Sequence, residues 1–76
     1  MHAKEQPGTV VGVTVDPGTV RVGDQMLFAG QAFTVADLTV LPGGGRRLAF
    51  ESGEAFLMRS TTVLYAMRRV PARRFR

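Results

Sequence analysis

The sequence contains no cysteine, no tryptophan, and only one histidine and one tyrosine among its 76 residues. Without cysteine there is no disulfide, no thiolate nucleophile and no sulfur ligand for zinc. The sole imidazole, His2, sits near the N-terminus, so neither a metal site nor a Ser-His pair can be assembled around it. Long apolar runs are missing too. The longest uncharged stretch, "QMLFAGQAFTVA" between Asp24 and Asp37, is 12 residues long and is interrupted by Gln25, Gly30 and Gln31. That is too short to span a bilayer. "MHAKEQPG" has no apolar core of the kind a secretory signal needs. The expectation is a soluble, cytoplasmic protein with no membrane, metal or cofactor requirement.

Acid is absent from the final twenty residues. Residues 57–76 carry Arg59, Arg68, Arg69, Arg73, Arg74 and Arg76 and no carboxylate, a charge of +6. Residues 1–56 carry four bases against six acids, 4 − 6 = −2. The positive balance therefore belongs to the C-terminal end. Nine of the ten basic residues are arginine, and alanine, valine and glycine abound, the signature of a GC-rich coding sequence.

A chain this short buries only about 60–65% of the surface its unfolded form exposes. Strand pairing and one thin apolar centre must hold it together. The pattern supports one domain: a flexible N-terminus over 1–8, a β-domain over 9–70 and a basic tail over 71–76. "TVVGVTV" (9–15) alternates as a strand with Val11, Val13 and Val15 on one face. "DPG" (16–18) predicts a type II turn with positive φ at Gly18. "TVRV" and a turn at "GD" (23–24) lead to "QMLF" (25–28), and "AG" (29–30) opens a tight hairpin into "QAFTVADLTVL" (31–41).

That last segment changes parity. Phe33 and Val35 keep one phase, Leu38 and Val40 the other, so a bulge or bend is expected near Ala36–Asp37, where the strand passes from one sheet to the next. "PGGG" (42–45) reverses the chain into "RRLAF" (46–50), with Leu48 and Phe50 inward and Arg47 outward. "ESGE" turns it into "AFLM" (55–58), and "RSTT" (59–62) reads as a single helical turn. "VLYAMRRV" (63–70) reads as the last strand, although Val63, Met67 and Val70 also fit a short helix capped by Ser60. The methionines, Phe28, Phe33, Phe50, Phe56 and Tyr65 fall on strands, where core packing is the default.

Short strands separated by regular turns predict an all-β fold, a small barrel of five to six strands. "VRVGDQMLFAGQAFTVADL" resembles the opening hairpin of SH3-like small barrels. "LPGGGRRLAFESGEAFLM" followed by "TTVLYAMRRV" is similar to short uncharacterised proteins of high-GC, actinomycete-type bacteria. The resemblance spans roughly residues 9–70 and rests on turns and core positions, so it implies the fold and no activity. The surface aromatics of peptide-binding SH3 domains are not evident.

Chemistry is thin on the ground. "PGGGRR" lacks the Lys-Ser or Lys-Thr of a phosphate-cradling Walker loop, and Leu48 stands where G-x-G-x-x-G needs its third glycine. Glu51 and Glu54 flank a turn as solvated acids, with nothing to separate their pKa values. Ser60, Thr61 and Thr62 suit a local side-chain-to-backbone turn. The expectation is a non-enzymatic binding module. Its first candidate role is nucleic-acid binding, to DNA or RNA, as a regulatory or accessory factor: Arg68, Arg69, Arg73, Arg74 and Arg76 form an arm, Phe75 stacks on a base, and Arg46, Arg47 and Arg59 give support from the domain. The alternative is a protein-interaction adaptor or accessory subunit that uses an exposed edge strand. A small structural or ligand-binding domain with a solubilising tail is the plainest option.

Overall fold

The parity slip in the long central segment decides the architecture. The computed structural model describes Gly8 to Pro71, and six strands follow one another in that span: β1 (Gly8–Val15), β2 (Gln25–Phe28), β3 (Gln31–Val40), β4 (Arg46–Phe50), β5 (Ala55–Met58) and β6 (Leu64–Pro71). The first half of β3 pairs with β2 and the second half with β4, and the register shifts between Val35 and Asp37. The expected bulge is there. It turns β3 from one half of the sheet into the other, so that Phe33 and Val35 before it and Leu38 after it face one core, while Val40 at the strand's end is exposed.

All pairings are antiparallel and the strand order is β1-β6-β2-β3-β4-β5. The segment 63–70 is strand, not helix: β6 pairs with β1 over eight residues, from Gly8 opposite Pro71 to Val15 opposite Leu64, and β2 takes its other edge. The all-β expectation holds, but closure into a barrel does not. Among the described residues β1 and β5 remain unpaired edges of one open, curled sheet. The reason is mechanical. The bend in β3 folds the β4–β5 half over the β1–β6–β2 half, so the apolar faces meet without an eleventh-hour pairing of the four-residue β5 against β1.

Residues from both halves fill the interior: Val15, Val20, Met26 and Ala66 from one side, Leu48, Phe50 and Met58 from the other, with Val35 at the bulge. Phe28 of β2 stacks on Phe56 of β5 at 5.1 Å between ring centroids, and Phe33 meets Phe50 at 5.3 Å. Full burial of such a side chain is worth about 1.5–3 kcal/mol, and of these four Phe50 is buried while Phe28, Phe33 and Phe56 are half-buried. Four of the five aromatics expected inside are packed there. Tyr65 is the correction: it is 67% exposed, because its parity on β6 is opposite to that of Leu64 and Ala66.

Three turns differ from expectation in detail. Gly18 does not take positive φ, and the turn is held by Asp16 instead: its side chain accepts the Gly18 amide at 2.8 Å, and its carbonyl accepts the amides of Thr19 and Val20. An Asx-type turn of this kind needs no left-handed residue. Residues 59–62 form a plain turn, closed by the Thr62 amide on the Arg59 carbonyl and the Arg59 amide on Thr62 Oγ1 at 2.8 Å. A short 3₁₀ turn occurs instead at Pro42–Gly44, where Gly43 and Gly44 both take positive φ. At the "AG" hairpin Ala29 and Gly30 have φ of 52° and 79°, the geometry a two-residue reversal requires. No helix among the described residues is long and apolar enough to cross a membrane.

Candidate functional site

β6 lies between β1 and β2, paired with β1 along its whole length and with β2 at Ala66 and Met67. The period of two sends Leu64, Ala66, Arg68 and Val70 inward and Tyr65, Met67 and Arg69 outward. Two adjacent arginines thus meet opposite environments.

Arg68 is part of the fold. Its Nε donates to Asp24 Oδ1 at 2.8 Å, and its Nη2 donates to Asp24 Oδ2 at 2.9 Å and to the Thr19 carbonyl at 2.9 Å. Asp24 Oδ2 also accepts the Arg21 amide at 2.9 Å. Asp24 is 1% exposed and the Arg68 side chain 17%. Burial by itself pushes the Asp24 carboxyl up, but the Arg68 fork and the Arg21 amide outweigh it, and the group sits below its ordinary value. The same hydrogen bonds hold the Arg68 guanidinium above its usual range. This is the only ion pair among the described residues.

The outward face is different. Across it, in register, run Thr14, Gly12 and Val10 of β1, Tyr65, Met67 and Arg69 of β6, and Gln25 of β2 with Thr34 of β3, joined by a 3.3 Å bond from Gln25 Nε2 to Thr34 Oγ1. Leu27 and Ala32 continue it. No carboxylate stands among these residues. Tyr65 lies across Gly12, its hydroxyl in the space a side chain there would take, which lets the ring rest on bare backbone. Two shallow hollows meet at Arg69: one of about 110 Å³ bordered by Val10, Gly23, Gln25 and Met67, and one of about 240 Å³ bordered by Arg21, Val22, Gly23, Asp24 and Arg68.

The remaining expected contacts are dispersed. Arg46 and Arg47 open β4, beyond the bulge, with Arg47 exposed between Thr39 and Leu57 and Arg46 half-buried between Val40 and Met58. Arg59 borders a separate hollow of about 320 Å³ against Pro42, Gly43 and Leu57. Arg73, Arg74, Phe75 and Arg76, like His2, lie outside the described residues. Glu51 and Glu54 are exposed at a hairpin turn, and no cluster of metal-ligating side chains occurs among the described residues. Sequence reasoning missed Tyr65 and Arg21. The signal for Tyr65 was available in its shared parity with Arg69, whereas Arg21 is placed by a turn whose geometry depends on Asp24. No protein-family model, curated protein or solved structure matches the chain.

Proposed function

We propose that this chain is a non-enzymatic nucleic-acid-binding module that takes a single strand across the outer face of β6. One observation carries the reading: an exposed tyrosine and an exposed arginine share a carboxylate-free sheet face, four residues and about 13 Å apart along one strand. Stacking on an aromatic ring needs a base free of its own stack, which favours single strands over duplex. Arg69 supplies a guanidinium for the backbone, and the sequence after β6 adds the cations Arg73, Arg74 and Arg76 and the ring of Phe75. Arg68 is not among the contacts, because its fork is spent on Asp24.

Fluorescence anisotropy with labelled single-stranded oligothymidylate and oligouridylate tests this. Wild type binds at low salt, and Tyr65→Ala weakens binding by about 1–3 kcal/mol, the worth of one base stack. Absence of binding at low salt, or a Tyr65→Ala variant that binds like wild type, overturns the proposal.

A second reading rests on the free edge of β1, eight residues from Gly8 to Val15 without a charged side chain, to which a partner's strand could be added. The two part at Tyr65, since strand addition at β1 is indifferent to an outward ring on β6.

A further inference from the structure

The two hollows share Gly23 and Arg69 at the end of the β6 face, and one of them is bordered by a residue outside the C-terminal basic segment. Arg21 stands on the turn before β2, and its backbone amide, not its side chain, secures that turn to Asp24. The side chain is exposed and borders the same hollow of about 240 Å³ as Arg69. Around this hollow are three guanidinium groups, Arg21, Arg68 and Arg69, against the single carboxylate of Asp24, 3 − 1 = +2. Arg68 offsets the charge of Asp24 in a two-pronged ion pair, so the remaining +2 belongs to Arg21 and Arg69. Arg21 and Arg69 border one small opening, where an anion can take a charge-assisted hydrogen bond from each.

We infer that Arg21 and Arg69 together form a phosphodiester subsite at the end of the β6 face, one that grips a single backbone phosphate of the strand whose base rests on Tyr65. This rests on the nucleic-acid reading and adds to it a second chain segment and a direction: the ligand runs from Tyr65 past Met67 and Gln25 to the turn at Gly23.

The test is the salt dependence of oligothymidylate binding, with folding of each variant checked by thermal melting. Each phosphate engaged on a single strand contributes about 0.7 to the slope of log K against log salt. Arg21→Gln is expected to lower the slope by about 0.7 and the affinity by about fivefold at 0.1 M salt. Arg69→Gln does the same, and the double variant goes no further, because neither guanidinium alone holds the shared phosphate. Arg21→Lys keeps the slope. Tyr65→Ala loses affinity with the slope unchanged. If Arg21→Gln binds with wild-type slope while Tyr65→Ala is weakened, the subsite is wrong and the nucleic-acid reading stands. If the double variant loses about 1.4, the arginines hold separate phosphates and the shared grip is wrong. If wild type does not bind, both fall.

Discussion

The inner and outer faces of β6 differ by one position in the chain and by nearly everything in physics. Arg68 points in, meets a carboxylate that is 1% exposed and becomes part of the scaffold. Arg69 points out, meets no acid on its face and borders an open hollow. The same contrast holds for the neighbours: Leu64 and Ala66 pack against the core, while Tyr65 and Met67 line an open surface. A count of arginines treats these residues alike. The two-residue period of a strand does not, and it sends one arginine into the scaffold and the next to the open surface.

The largest effect that would break this comparison is on folding. Arg68→Ala leaves the Asp24 carboxylate buried without its partner, and removing one member of a buried pair costs about 3–5 kcal/mol. For a domain of this size, whose whole stability is on the order of 4–11 kcal/mol, that is severe. Arg69→Ala changes stability by no more than about 0.5 kcal/mol. Urea unfolding of the two variants side by side decides it, and equal losses would erase the distinction between the faces.

Acid sharpens the same point with a smaller effect. In the wild type the folded Asp24 carboxyl lies below its ordinary value, so its contribution is present above the unfolded pKa of about 3.9 and is lost as pH falls through the lower folded value. In Arg68→Ala the main partner is gone and burial raises the carboxyl, so protonation in that pH range favours the folded form instead. The stability gap between the two proteins therefore narrows as pH falls from 7 towards about 3.5. Unfolding curves at those two values check it. A gap that stays constant means that Asp24 is not the residue Arg68 serves.

Local rules were enough to read the strands. Apolar runs bounded by turn residues placed the first five, β-branched residues and Tyr65 favoured strand over helix for the sixth, and the clash of phase between Val35 and Leu38 located the bulge within a residue. Leu48 and Phe50 inward and Arg47 outward followed from the same alternation. Closure was not legible, since it depends on how far the sheet curls once the Phe28–Phe56 contact has formed, which no local pattern encodes. The role of Arg68 was hidden because its partner lies 44 residues away, behind a turn. Tyr65 was a failure of a different sort: a general preference of aromatics for the interior was allowed to override a parity that already put the ring outside.

The subtlest way to sharpen the contrast is at Gly12. A methyl group there collides with the end of the Tyr65 ring, and with nothing else closer than that side chain. On the inner face, an added methyl in a packed core costs about 1–3 kcal/mol. On the outer face the obstacle is the tip of a side chain that has open solvent to move into, and replacing glycine by alanine also reduces the freedom of the unfolded chain, worth about 0.4–1 kcal/mol in favour of folding. Gly12→Ala should therefore melt within a few degrees of wild type while binding oligothymidylate more weakly, by less than Tyr65→Ala does, because the ring is displaced and not removed. A large loss of stability would show that Tyr65 is held as packing, and the outer face of β6 would then have no free aromatic to offer a base.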